Sequence, residues 1–266
     1  MSDVAVAAMR DQSRVVVREI NWTVLPQQYW VVAGLQGSGK SDFLSMTAGL
    51  MGPAAGRYRL FGEEMPIFDE ARLKTRLRLG LVFETGQLFN QLTVSENIAL
   101  PIRYHNNLTK AEAAPQIQPM LEALELEPWA DSTPGAIGRP WQKRVGLARA
   151  LALHPEVLLV DSPLTGLDLR HSWWWLGFLE QLGKGHALLG GRPLTLVVTT
   201  ADVRPWHNRN ARFAIIRDER FHVLGEWEKL EAQRGALARE LFVTETEPTE
   251  KLTQERAVTP DEATKQ

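Results

Sequence analysis

A strand, a glycine-rich loop and a helix follow one another between residues 29 and 49, and this order constrains the fold more than any other feature of the sequence. The apolar run Tyr29–Ala33 leads directly into GLQGSGKS, residues 34–41, and DFLSMTAGL follows with a helical pattern. The glycines allow the backbone to curl so that successive N–H groups point inward, and the helix adds its positive amino-terminal end. This order predicts a phosphate-binding loop, or P-loop, that binds a polyphosphate.

Two side chains of this loop have predicted chemical roles. Lys40 is expected to neutralise the terminal phosphates of the ligand, and the Ser41 hydroxyl is expected to bind Mg²⁺ because it is a hard oxygen donor. The predicted nucleotide-binding residues are Gly34, Gln36, Gly37, Ser38, Gly39, Lys40 and Ser41.

Short β-branched runs alternate with helical patterns along the remaining chain. Such alternation is typical of an α/β fold in which helices separate buried strands. Besides Tyr29–Ala33, the predicted buried strands are Val15–Val17, Leu79–Phe83, Val157–Val160 and Leu194–Thr199.

Two capping boxes predict where helices begin in the middle of the chain. Thr93 is followed three residues later by Glu96, and Thr109 is followed in the same way by Glu112. Each pair can satisfy backbone N–H groups that the start of a helix leaves without partners. We therefore expect a helical insertion at about residues 92–134.

Composition indicates a globular protein and excludes several functional classes. With 44% hydrophobic residues and a net charge of -2, a sizeable core is expected, and a dominant basic surface for nucleic acid is not. The chain has 0 cysteines, which excludes a thiolate nucleophile and a cysteine-bound zinc site. The longest apolar runs are far shorter than the roughly 20 residues of a membrane-spanning helix, so no membrane span and no export signal are predicted.

The domain organisation is predicted to be simple. No repeat or low-complexity linker divides residues 1–243, so we expect a single domain there. Residues 244–266 are polar and rich in Thr and Glu, and such a segment cannot bury enough apolar surface to offset its ordering entropy. They are predicted to form a disordered tail.

Two later motifs, taken with the P-loop, indicate a family. The segment KRVGLARALALHPEVLLVD covers Lys143–Asp161, and SPLTGLD follows at Ser162–Asp168. In order and spacing these motifs resemble the ATPase subunit of ABC transporters over roughly residues 15–230. Within that family, Leu81–His105 is similar to the corresponding stretch of the ATPase in Mla-type, MCE-linked lipid transporters.

The resemblance implies a fold, cofactors and partners. The implied fold is a P-loop NTPase of the ABC ATPase type, with a RecA-like core and mixed sheet, an antiparallel β portion and a helical subdomain. The implied cofactors are ATP and Mg²⁺, and the implied partners are a membrane permease, a second ABC ATPase subunit in a homodimer or heterodimer, and an MCE-type lipid-binding component. Such a subunit lies in the cytoplasm, peripheral on the inner face of the inner membrane, and has no nucleic acid partner.

Three positions depart from the family's catalytic pattern. Ser162 follows the aspartate where the family has a glutamate base, and Thr200 stands at the position of the switch histidine. Glu84 replaces the glutamine that contacts the metal in the family. The implied Mg²⁺ ligands are therefore Ser41, Asp161 and Glu84, and no residue is predicted to be catalytic.

The loop that faces the partner's nucleotide in the family is also altered. Counting back from QKRVGLARA, the family's LSGGQ sequence falls on residues 137–141, which read IGRPW. Pro140 has no N–H, which removes one donor to the partner's phosphate, whereas Arg139 adds a positive charge. The residues implied at the dimer contact are Gly138, Arg139, Pro140, Trp141 and Asp168.

These departures predict a subunit that binds Mg·ATP but is impaired in hydrolysis. The loss of a positioned general base typically costs about 10² to 10⁴ in rate. One alternative is a slow but active transport ATPase in which Glu84 serves as a substitute base, and another is a regulatory scaffold without a transport role. A P-loop small-molecule kinase is disfavoured because LTGLD, residues 164–168, has no role in such an enzyme.

Three consecutive tryptophans, residues 173–175, lie on a predicted helix and cannot all face one core. Trp175 has core spacing together with Phe178 and Leu179. We predict that Trp173 or Trp174 contacts a partner.

Overall fold

The computed structural model describes residues 1–65, 72–232 and 241. The described strands form one mixed sheet in the order β5-β4-β1-β2-β10-β9-β3-β8-β7-β6. The strands are β1 (Ser2–Ala8), β2 (Asp11–Ile20), β3 (Tyr29–Ala33), β4 (Ala55–Leu60), β5 (Glu63–Met65), β6 (Leu79–Val82), β7 (Val157–Val160), β8 (Thr195–Thr200), β9 (Arg212–Arg217) and β10 (Arg220–Gly225). The helices are α1 (Lys40–Thr47), α2 (Leu73–Leu77), α3 (Val94–Asn106), α4 (Lys110–Ala123), α5 (Arg139–Leu151), α6 (Leu169–Lys184) and α7 (Trp227–Ala232).

The sheet has a parallel portion and an antiparallel portion. Strands β6, β7, β8, β3 and β9 pair in parallel, and Ala33 at the end of β3 lies opposite Thr200 at the end of β8. Strands β1, β2, β4 and β5 pair in antiparallel fashion at the other side. Because neighbouring parallel strands end at the same edge, the segments that follow β3, β6, β7 and β8 come together there.

The parallel strands are covered on both faces. All five residues of β3 are buried, and Val31 packs into one apolar core whereas Val32 packs into another. The first core lies under α3–α6, and the second lies between α1 and the antiparallel strands. Burial on both faces explains why β3, β7 and β8 appear in the sequence as short continuous apolar runs.

Both predicted capping boxes are present. The Thr93 side chain accepts a hydrogen bond from the Glu96 N–H at 3.2 Å, and the Glu96 carboxylate accepts one from the Thr93 N–H at 2.9 Å. Thr109 and Glu112 form the same pair of bonds at the start of α4. Helices α3 and α4 therefore begin where the capping boxes predict, and the bounds of the helical insertion stay a prediction.

Some strand predictions were incomplete. β3 and β7 match the prediction, but β2 extends well beyond Val15–Val17, β6 ends at Val82, and β8 runs from Thr195 to Thr200. Strands β1, β4, β5, β9 and β10 were not predicted. The pairing of β1 with β2 is interrupted by register shifts, so β1 has no regular alternation. The predicted tail, residues 244–266, lies outside the described residues. None of the described helices is long and apolar enough to span a bilayer.

Candidate functional site

The P-loop connects the end of β3 to the start of α1. The Gly34 N–H donates to the Thr200 carbonyl oxygen at 3.1 Å, which fixes the loop to the end of β8. Gly39 has a φ of 91°, and a Cβ at this position would lie 2.9 Å from the Val17 Cγ2 atom. Only glycine fits both the backbone conformation and the space, so this glycine shapes the loop.

Lys40 is buried and directed into the loop. Its ammonium group donates to the carbonyl oxygens of Gly34 and Leu35, both at 2.7 Å. Burial lowers the pKa of Lys40, and the negative charges of Asp161 and Glu84 oppose that shift. The two carboxylates therefore lie within electrostatic reach of this amine.

Asp161 follows β7 and is held by hydroxyl groups. The Thr199 Oγ1 atom donates to Asp161 Oδ1 at 2.7 Å, and Ser162 Oγ donates to the same oxygen at 3.2 Å. The Ser162 N–H in turn donates to Thr199 Oγ1 at 2.9 Å. These bonds orient the carboxylate through one oxygen.

The residues present fit a magnesium nucleotide. The Ser38 Oγ atom is buried and finds no hydrogen-bond partner in the part of the chain that the structure describes. Ser41 lies in the first turn of α1 and is exposed, so its hydroxyl is accessible beside the positive end of the helix. The Ser38 hydroxyl can donate a hydrogen bond to a phosphate. The Ser41 hydroxyl and the Asp161 carboxylate are oxygen ligands that suit a hard cation.

The hydroxyl groups of Ser162 and Thr200 both form hydrogen bonds within the chain. Ser162 turns its hydroxyl toward Asp161. The Thr200 Oγ1 atom donates to the Asp202 carbonyl oxygen at 2.8 Å and accepts from the Asp202 N–H at 3.2 Å. Neither side chain can act as a general base at neutral pH, because an alcohol holds its proton.

Glu84 lies in the turn after β6 and is half-buried. Its negative charge acts on Lys40 and on Lys143 of α5. The structure therefore brings Glu84, Asp161, Ser162 and Thr200 to the same edge of the sheet as the P-loop, as the parallel strand order requires.

The altered loop lies at the start of α5. Gly138 is the residue before the helix, and Pro140 occupies the first turn, where the helix does not need its missing N–H. Gly138 and Arg139 are exposed, whereas Trp141 is half-buried with its ring 6.0 Å from that of Trp129. Contact of these residues with a partner stays a prediction.

Asp168 has a clear local role. Its carboxylate accepts a hydrogen bond from the His171 N–H at 2.8 Å and so caps the start of α6. This cap is worth about 1 kcal/mol to the helix. A role for Asp168 in a dimer stays a prediction.

The three consecutive tryptophans have different environments. Trp175 is fully buried, which confirms its predicted place in the core. Trp174 stacks on Phe178 with ring centroids 4.8 Å apart, and the Arg144 guanidinium lies 3.7 Å from its centroid. Trp173 is 59% exposed, and contact of Trp173 or Trp174 with a partner stays a prediction.

Two residues of the site were not predicted. Lys143 donates from its buried ammonium to three carbonyl oxygens of the segment after Asp161, and Thr199 holds the Asp161 carboxylate. The pair of threonines at the end of the buried strand β8, TLVVTT, was a signal for Thr199. No sequence signal distinguishes Lys143 from the solvated lysines of an amphipathic helix.

Comparison with known proteins agrees with this architecture. The sequence profile described as ABC transporter matches residues 17–165. A putative ABC transporter ATP-binding protein of Methanosarcina acetivorans is 31% identical over 81% of this chain and 78% of its own length. The spermidine/putrescine import ATP-binding protein PotA 1 of Pseudomonas aeruginosa is 29% identical over 87% of this chain, and the Nod factor export ATP-binding protein I of Burkholderia thailandensis is 36% identical over 62%.

Solved structures share the fold. A dimeric ATP-binding cassette, described in a post-hydrolysis state with ADP and Pi, superposes with a TM-score of 0.72 at 25% identity, covering 85% of this chain and 98% of that one. The structure of cbiO1 from Clostridium perfringens, part of the cbiONQ complex, gives a TM-score of 0.67 at 20% identity and covers 90% and 94%. The mixed sheet, the P-loop and the helical segment therefore define an ATP-binding cassette, which confirms the predicted fold class.

The chain belongs to the ABC transporter family. It is the nucleotide-binding part of such a transporter, and an ABC ATPase domain binds ATP with Mg²⁺. The chain spans 61% of the length of the Pseudomonas relative and 54% of the Burkholderia relative.

Proposed function

We propose that this chain binds Mg·ATP at Gly34–Ser41 and is impaired in its hydrolysis. The proposal rests on a contrast between two groups of residues at the same edge of the sheet: those that would bind phosphate and those at the positions of a base and an imidazole. In support of binding, Lys40 is buried in the loop, and the negative charges of Asp161 and Glu84 act on it. Ser162 and Thr200 have hydroxyl groups in hydrogen bonds where a base and an imidazole are expected.

The roles of individual residues follow from their chemistry. The loop N–H groups and the Lys40 ammonium would bind the phosphates, and the hydroxyl of Ser41 with the carboxylate of Asp161 would hold Mg²⁺. Bound Mg²⁺ supplies charge neutralisation of the phosphate oxygens. Thr199 keeps the Asp161 carboxylate in one orientation through its 2.7 Å hydrogen bond.

Substitution of Glu84 tests the alternative that the chain is a slow but active ATPase. Among the residues that the structure describes, it is the carboxylate besides Asp161 whose charge acts on Lys40. If Glu84 acts as a substitute base, Glu84→Gln will abolish the turnover that remains. If hydrolysis is impaired, the wild-type chain and Glu84→Gln will both release phosphate at rates about 10² or more below those of an active cassette.

The proposed assembly includes a membrane permease and a second cassette. In a homodimer both nucleotides would face the altered loop at residues 137–141, so a heterodimer with a competent ATPase fits the sequence better. We place the chain at the inner face of the inner membrane. The similarity of Leu81–His105 to the ATPase of Mla-type lipid transporters supports lipid as the transported substrate. It also supports an MCE-type component as a partner.

The decisive experiment is calorimetric titration of the purified chain with Mg·ATP. We expect saturable heat in the wild type and its loss in Lys40→Ala, because the variant lacks the only loop side chain with a positive charge. Phosphate release by the same samples measures hydrolysis. The absence of binding in the wild type, or turnover typical of transport ATPases, would refute the proposal.

A regulatory scaffold is distinguished from a transport subunit by what purifies with the chain. A tagged chain extracted from membranes with mild detergent is expected to bring down a permease. Recovery with a water-soluble protein and no permease would favour the scaffold. Trp173→Ala, which changes an exposed side chain, tests whether this residue belongs to the contact.

A further inference from the structure

Lys143 carries a buried positive charge that the proposed binding of Mg·ATP does not use. Its side chain lies on α5 and the residue is only 6% exposed. The ammonium donates to the carbonyl oxygens of Ser162 at 3.2 Å, Pro163 at 3.0 Å and Thr165 at 2.8 Å. All its donors are thus used within the segment that directly follows Asp161.

The charges around Lys143 are those of the metal site. Glu84 and Asp161 both attract it, and the same two carboxylates attract Lys40. Its Nζ atom donates to three carbonyl oxygens, which requires the three N–H groups of the ammonium form. Two cations and two anions thus form a group with no net charge.

The zero net charge of this group depends on Lys143. Glu84 brings a negative charge to a position where the family has a neutral glutamine, and without Lys143 the group would carry a net charge of −1. A nucleotide without metal is strongly anionic and would be repelled by that excess. Buried charges interact over several ångströms because the protein screens them poorly.

We propose that Lys143 is a resident counter-cation of the metal site, which offsets Glu84 and allows the nucleotide to bind without Mg²⁺. It is a positioning residue, since its ammonium contacts only the chain. This inference rests on the proposed nucleotide site, and its ligand is a nucleoside triphosphate free of metal.

The test measures the Kd of ATP in excess EDTA and in excess Mg²⁺ at constant ionic strength. Lys143→Gln is expected to weaken metal-free binding by at least about fivefold and binding of Mg·ATP by less, because the metal supplies the missing charge. Glu84→Gln is expected to tighten metal-free binding by a similar factor. The double variant, again without net charge, is expected to return to within about twofold of the wild type.

Metal-free affinity is the informative readout because no Mg²⁺ is present, so a change in metal coordination cannot contribute to it. Unchanged metal-free affinity in Lys143→Gln, with native circular dichroism, would overturn the inference. If that variant does not fold, Glu84→Gln decides: tighter metal-free binding supports the inference, and unchanged or weaker binding overturns it. Failure of the wild type to bind Mg·ATP would instead refute the proposed function.

Discussion

Gly146 of α5 packs directly against Gly86 in the turn after β6. A Cβ on Gly146 would lie 2.8 Å from the Gly86 Cα atom, closer than side-chain carbons approach. The Arg149 guanidinium donates to the Gly86 carbonyl oxygen at 2.8 Å and strengthens the same contact. Helix α5 is thereby fixed to the turn that carries Glu84.

Gly146→Ala is therefore expected to destabilise the fold. The added methyl group must displace backbone, which costs about 1–3 kcal/mol in the free energy of unfolding. Gly177→Ala on α6 is the matched control, because a Cβ there meets nothing within 4 Å. The control should be neutral or stabilising by up to about 1 kcal/mol, since alanine favours helix over glycine. Urea unfolding measures both, and equal stabilities would contradict the prediction.

Arg144 links α5 to α6 and the helical segment. Its guanidinium lies 3.7 Å from the Trp174 ring centroid and donates to the Leu124 carbonyl oxygen at 3.2 Å and to Glu125 at 2.6 Å. Arg144→Met should lower the free energy of unfolding by about 2–4 kcal/mol, because a buried carbonyl and a cation–π contact lose their partner.

Arg144→Lys is the control for charge in that experiment. It keeps the positive charge but not the planar group, so we expect it to recover less than half of the loss. Full recovery in urea unfolding would show that charge alone accounts for the stabilisation by Arg144.

Ser162→Glu tests whether a single base restores hydrolysis. We expect ATP turnover to rise by no more than about tenfold, because Thr200 and the altered loop at residues 137–141 are unchanged. Ser162→Gln has a similar size without a base and should show no rise. Turnover increased about 10³-fold by Ser162→Glu alone would mean that the other positions do not limit the rate.

Glu180 should make stability depend on pH. Hydrogen bonds from Lys184 at 2.6 Å and Arg209 at 2.7 Å hold its pKa below the ordinary 4.5. Because the folded pKa is depressed, this stabilisation is fully present above pH 4.5 and is lost as the pH falls through the folded pKa. The pair is partly exposed, so the effect is about 0.5 kcal/mol.

Urea unfolding of the wild type and Glu180→Gln at several pH values measures this contribution. The difference between the two should be constant near neutral pH and shrink below pH 4.5, the ordinary value for this group. A difference that grows in acid would contradict the assignment.

Local and periodic features were predictable from the sequence. β3, the P-loop and both capping boxes are each encoded by adjacent residues, so they could be located without knowledge of the fold. β1 could not be located, because it depends on antiparallel pairing with β2 through irregular register. The role of Lys143 could not be predicted either, because it depends on tertiary contacts with carbonyl oxygens 19 to 22 residues away along the chain.

The altered loop at the start of α5 has one more consequence. Among its residues 137–141, all of which the structure describes, Trp141 is half-buried and packs against Trp129, and Arg139 is the exposed one that carries a charge. An exposed charge at the rim of a contact acts mainly on the rate of encounter and on its sensitivity to salt. Recognition through this loop would thus be governed by ionic strength, with low salt accelerating the approach of an acidic surface and high salt slowing it.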